Sequence, residues 1–520
     1  MFFLEDVAQL VLWLLLGLTW VNLVFLCFVF YRRLSRKRYF AAKDAAREHY
    51  RPMISQFAAG HIPVEAAAAV LRNARTVPEQ DAVRDALFLE AAPADRERTT
   101  ELLFALGMVE AWAKQAYGKR QAQDVVRRAL RHEAAPLAPA NSTARRATRS
   151  SLRMLAVPRA LAVNRLAHLR PEVAQVFAAE ALKDPSPEVR RVAVRALGRT
   201  RHPAGVPLLA AEIERSFAAG NDISLRTAKA ALVAYNLEDL HLFVPLLRHP
   251  SRRMRFVVVD TVRQIAERAA RKAPLNRNDF PIEMHQLLLN ELARDEFADV
   301  RARTASVLRH FRDAAAVEAL RKLTTDEDEF VRLHAVRACG DPYLPQLLSA
   351  VTDRLGDPRW RVREAAVKSI TAFGQAGDQE LYRYFIQSPD RYACEQLAEE
   401  IQRRGLVLQL MDLLQASTSG RASPGSSAHH GAQLATAVFQ KLVMLGKGSL
   451  LLHAAQSPEL DANTRLKLLD LVAAQPTQLT LSTFAYLAQT DPGPVGEHAA
   501  ELLRHISEAS RAAAAGSDHA

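Results

Sequence analysis

Apolar residues along this chain return at intervals of three and four, the spacing of one face of an α-helix. The clearest instances share a frame in which an apolar residue is followed by small or apolar residues four and eight positions on. The frame occurs at Val189/Ala193/Leu197, Met254/Val258/Val262, Val300/Thr304/Leu308, Val331/Ala335/Cys339 and Val362/Ala366/Ile370. Five residues before each frame stands an Asp, once a His: Asp184, His249, Asp295, Asp326 and Asp357. Directly after its first apolar residue stands an Arg: Arg190, Arg255, Arg301, Arg332 and Arg363. The openings lie 65, 46, 31 and 31 residues apart, so the unit is 31 residues long with an extra unit or insertion in each longer gap. A second apolar segment follows the first, at Val206/Leu209/Ile213 and Val317/Leu320/Leu323. A helical pair of this size has no closed core alone, so its faces are buried only by stacking on neighbours.

Within a unit, the Asp-Pro pairs at Asp184 and Asp357 predict helix starts, with the carboxylate accepting orphan backbone donors and Pro in the first turn. Gly198 and Gly340 stand where such a helix would stop. The units resemble HEAT repeats, in the short bacterial variety of the phycobilisome lyase-like proteins. The resemblance covers about residues 147–410, with Leu152/Arg153 and Leu225/Arg226 as degenerate copies, and Asp491-Pro-Gly-Pro as a start that lacks the Arg. It implies an all-α fold: a right-handed α-solenoid of helical hairpins. It also implies that Asp184, Arg190, Arg255, Asp295, Arg301, Asp326, Arg332, Asp357 and Arg363 form a structural ladder between repeats. Protein–protein interaction is the use that the resemblance implies.

From Val7 to Phe30 no residue is charged, and 24 residues span about 30 Å of hydrocarbon as a helix. Glu5 and Asp6 precede this run, while Arg32, Arg33, Arg36, Lys37 and Arg38 follow it. This asymmetry predicts a single-pass anchor with the N-terminus outside, the bulk of the chain in the cytoplasm and the five basic residues on the membrane surface. The charges are on the wrong side for a cleaved secretory signal. An Ala- and Arg-rich composition points to a GC-rich bacterium and hence to the inner membrane.

The net charge of +12 suggests nucleic acid, but its location argues for lipid. Residues 32–38 supply five positive charges, and residues 119–170 hold twelve Lys or Arg against Asp124 and Glu133. The basic excess therefore lies outside the repeats. Three cysteines, none in a CxxC spacing, exclude a disulfide framework.

No catalytic constellation emerges. Gly446-Lys-Gly-Ser449 lacks the upstream glycine of a phosphate loop, and His429-His430 reads as a solvated pair in a linker. No cofactor or metal is expected. Arg359, Trp360 and Arg361 form the one surface group with the make-up of a contact hot spot, unless Trp360 plugs a gap between repeats.

The expected organisation is an outer N-terminus (1–6), a transmembrane helix (7–31), a basic juxtamembrane helical region (32–133) and a linker (134–150). A solenoid (151–415), a flexible Ser/Gly/His linker (416–431), a helical cap (432–509) and a disordered tail (510–520) follow. The function expected is that of a non-enzymatic, membrane-anchored scaffold docking a protein at the membrane, such as an envelope- or polysaccharide-assembly enzyme. Nucleic-acid binding and a lyase-like activity are the alternatives.

Overall fold

The computed structural model describes residues 2–91, 95–133, 156–217, 223–418 and 427–517, and these form helices with no strand among them. The chain divides into two compact units, Met1–Leu246 and Leu247–Ala520. The expected linker 134–150 and the degenerate copy at Leu152 lie outside the described residues.

In the first unit, α1 (Phe2–Ala58) is a single helix. Its apolar part is bare on every side: Trp13 is 71% exposed and Tyr31 71%. Further along, Ala46, Tyr50, Ile54 and Phe57 are buried. There α1 packs on α3 (Val77–Ala86), which follows α2 (Val64–Leu71). Tyr39 and Lys43 fix this contact through Asp81 and Asp85. No break separates the apolar run from the folded unit at residue 31. The amphipathic stretch Leu102–Trp112 is not one helix but two, α4 (Arg96–Ala105) and α5 (Met108–Tyr117). Gly107, at φ +68°, makes the turn between them, in a conformation that residues with a Cβ rarely adopt.

Stacking begins here. Helix α5 packs on α7 (Ala156–Leu166), and α6 (Lys119–Leu130) on α8 (Pro171–Ala181). The first full repeat is α9 (Pro187–Thr200) with α10 (Gly205–Ser216), and α11 (Leu225–Val233) lies against α9. The 65-residue gap therefore holds an additional repeat helix, α11.

In the second unit, α12 (Arg252–Ala270), α14 (Ala298–Leu308), α16 (Glu329–Cys339), α18 (Trp360–Ile370) and α20 (Arg391–Arg403) stack one on the next. Between them run α13 (Ile282–Asn290), α15 (Ala314–Leu323), the short α17 (Leu348–Thr352) and α19 (Gly374–Gln387). The 46-residue gap is filled by a 19-residue α12 and the loop after it rather than by another unit. All fifteen frame positions, from Val189 to Ile370, are at most 1% exposed.

Helices α21 (Leu406–Thr418) and α22 (Ser427–Met444) occupy both ends of the expected linker 416–431, because Leu406, Leu410 and Leu414 bury one face of α21. His429 and His430 accordingly sit on a helix. The remaining helices are α23 (Ser449–Gln456), α24 (Ala462–Ala473), α25 (Gln478–Thr490) and α26 (Pro494–Ser517). The last of these carries helix into the tail expected to be disordered.

Two local expectations change. The repeat Asp is not the N-cap: that position is Ser186 in α9 and Arg359 in α18. Each Asp stands two residues earlier and accepts the N–H of residue i+2, as Asp184 does from Ser186 and Asp357 from Arg359. Gly198 does not end its helix. It lies inside α9, where α11 crosses so closely that a Cβ would meet the Ala231 Cα at 2.7 Å.

Candidate interaction surface

The side chains expected to form a ladder meet in pairs. Arg255 donates two hydrogen bonds to the Asp295 carboxylate at 2.8 and 3.0 Å. Arg301 does so to Asp326 at 2.8 and 2.8 Å, and Arg332 to Asp357 at 2.8 and 3.1 Å. In each unit Nη1 of the same Arg also donates to the carbonyls of its own opening turn. Arg332 thus binds the Asp326 and Glu327 carbonyls, and Arg190 those of Asp184 and Pro185. One guanidinium therefore satisfies its own turn and holds the next repeat. The fork geometry explains why the residue is Arg rather than Lys. Asp326 lifts the Arg301 guanidinium above its ordinary pKa by hydrogen bonding, and Asp357 does the same to Arg332. Arg363 reaches Gln396 Oε1 at 3.4 Å instead of a carboxylate.

Two rungs have no counterpart among the expected residues. Arg159 binds Asp184 bidentately at 3.0 and 3.1 Å, 25 residues ahead of it, the separation also found for Arg301–Asp326 and Arg332–Asp357. That separation is visible in the sequence, whereas the apolar frame around Arg159 is degraded. Arg465 pairs with Asp491 at 2.8 Å and donates to the Ala455 carbonyl. It approaches from a different helical position, which the offset of six does not reveal.

The basic stretch 119–170 is largely engaged within the first unit. Arg128 pairs with Glu180 and Asp124, Arg165 with Asp81, and Arg170 with Glu97. Helix α6 buries Ala122, Val125 and Ala129, so its charges are the outer face of a packed helix rather than a free basic surface. Arg32, Arg33, Arg36, Lys37 and Arg38 are exposed on α1, and no ion pair to them occurs among the described residues.

Trp360 does not plug a gap between repeats. It is 54% exposed at the start of α18, with the Arg361 guanidinium 5.7 Å from its ring centre. Arg359 pairs with Glu329 on α16 at 2.8 Å. Beneath Trp360 lies a cleft of about 300 Å³, lined by Glu364, Val367 and Lys368 of α18 and by Gln396, Glu399, Glu400 and Arg403 of α20. Phe330 and Tyr392 stand at the same end of the adjoining helices α16 and α20, 39% and 73% exposed. The tool for finding this row in sequence was alignment of the units at their first helical turn, since the rings occupy slightly different offsets. The row has no nucleophile and no perturbed acid–base pair. Among the described residues no three His, Cys, Asp or Glu are placed to hold a metal ion. Burial pushes the Cys339 thiol up to about 12, so it acts as a small apolar side chain.

Residues 286–371 match the family model described as HEAT repeats. No curated protein matches the sequence. Among solved structures the chain is similar to YibA of Escherichia coli at 15% identity and a TM-score of 0.25, over 65% of this chain and 95% of that one. It is also similar to a mutant of Kap121p at 13% identity and a TM-score of 0.34, over 86% of this chain and 52% of that one. The repeat period, the buried frame and the family match agree: this is a HEAT-repeat chain, an α-solenoid whose N-terminal helix is long and apolar enough to cross a membrane.

Proposed function

We propose that the chain is a membrane-anchored scaffold that docks a partner protein on the repeats of its second unit. The observation that carries this reading is the exposed group at Trp360. A half-bare Trp flanked by arginines over a cleft is the composition of a contact hot spot, and nothing beside it performs chemistry. The anchor reading rests on the bare apolar stretch of α1 and the five basic residues after it. By the positive-inside rule these place the repeats in the cytoplasm, on the inner membrane of a bacterium. The partner accordingly works at that membrane.

Tyr39 and Lys43 belong to the folded unit through Asp81 and Asp85, so the anchor can be removed only up to about residue 35. A chain beginning at Arg36 is expected to leave the membrane fraction and remain folded in detergent-free buffer, with an unchanged helical circular-dichroism spectrum. Sedimentation with membranes after a high-salt wash would refute the anchor; aggregation would mean that the apolar stretch packs within the protein.

A further inference from the structure

Phe330, Trp360 and Tyr392 occupy the first turn of three consecutive stacked helices, α16, α18 and α20. Two cross-links keep these turns in step: Arg359 to Glu329 at 2.8 Å between α16 and α18, and Arg363 to Gln396 at 3.4 Å between α18 and α20. Packed helices lie about 8–10 Å apart, so the row presents one aromatic ring at that interval. A polyproline II helix has three residues per turn and advances about 9 Å per turn. The two periods agree, so every third residue of such a segment meets a ring.

Charge narrows the occupant further. Arg359 is paired with Glu329, Arg391 with Glu395 and Lys368 with Glu364, which leaves the row close to neutral. An acidic peptide or a nucleic acid strand would need unpaired basic groups here. An amphipathic helix, about 10–12 Å across, needs a continuous apolar groove, whereas the rings are separated by ion pairs and the cleft between α18 and α20 is lined mainly by charged side chains. A slender, uncharged segment that lays flat apolar groups on separate rings suits both limits.

We infer that this row binds a proline-rich segment of the partner in the polyproline II conformation, a reading that rests on the scaffold proposed above. The test is a fluorescence-anisotropy titration of the full-length chain in detergent micelles with a labelled dodecapeptide of four Leu-Pro-Pro repeats. A Leu-Gly-Gly dodecapeptide and an amphipathic helical peptide of equal length serve as comparisons. Saturable binding of the proline peptide is expected, weakened at least tenfold by Trp360→Ala and by Tyr392→Ala. Tyr486→Ala, which removes an exposed aromatic elsewhere, should leave it unchanged. Binding of the helical peptide instead, lost with Trp360→Ala, would overturn the inference and spare the scaffold. Absence of Trp360-dependent binding to all three peptides would overturn the inference, leaving the scaffold to be judged by capture of its natural partner.

Discussion

Replacing Asp357 by Ala is expected to destabilise the stack at the junction of α16 and α18 by about 3–5 kcal/mol, the cost of stranding one member of a buried ion pair. The Asp357 side chain is 1% exposed and that of Arg332 is 12% exposed. The substitution removes both acceptors of the Arg332 fork and the acceptor of the Arg359 N–H. Arg332 would keep only the two carbonyls of its own turn. Because repeats interact with their nearest neighbours, the loss should be local. Hydrogen exchange followed by mass spectrometry should show lost protection in α16 and α18, with α24 to α26 little changed. Replacing both partners, Arg332→Met with Asp357→Leu, should recover much of the loss, since most of the penalty comes from the stranded charge. A double variant as unstable as the single one would show that the rung acts through backbone geometry alone.

The second large effect is steric. Gly198→Ala is expected to cost about 2–3 kcal/mol, because its Cβ would stand 2.7 Å from the Ala231 Cα and 2.9 Å from the Ala231 carbonyl oxygen. These are backbone atoms, so relief requires α9 and α11 to move apart. Gly340 holds the equivalent place in its own unit, 14 residues after Asp326 as Gly198 is after Asp184. A Cβ there would meet Ser369 at 2.7 Å. The thermal unfolding midpoint of Gly198→Ala should fall, and Ala231→Gly in the same chain should restore part of it by removing the Cβ contact at 2.9 Å. An unchanged midpoint for the single variant would mean that the two helices are not held at this distance.

The repeat architecture was legible because burial and period coincide. Positions five, nine and thirteen after the opening residue all reach the core, even where Thr304 or Cys339 replaces an aliphatic side chain. The helix-start reading of Asp-Pro misplaced the carboxylate by two residues. The pairwise pull of the neighbouring Arg outweighs capping, and a cap rule considers one helix at a time. Arg159 was detectable only by its separation from Asp184, because long-range partners leave no mark in local propensity. The five basic residues after the apolar run were plain in sequence, whereas the basic excess at 119–170 was misleading. Its counter-charges, Asp81, Glu97 and Glu180, lie far away along the chain. At the surface, Trp360 stood out by type, while Phe330 and Tyr392 became its neighbours only once α16, α18 and α20 were stacked.

The scaffold is tested most directly by quantitative mass spectrometry of proteins cross-linked to the full-length chain in its native membrane, comparing the unchanged chain with Trp360→Ala at equal abundance and helicity. The account predicts one membrane-associated protein strongly enriched with the unchanged chain and reduced at least tenfold with Trp360→Ala, while lipid association stays the same. An identical set of cross-linked proteins from both chains would contradict it and remove the aromatic row from the function.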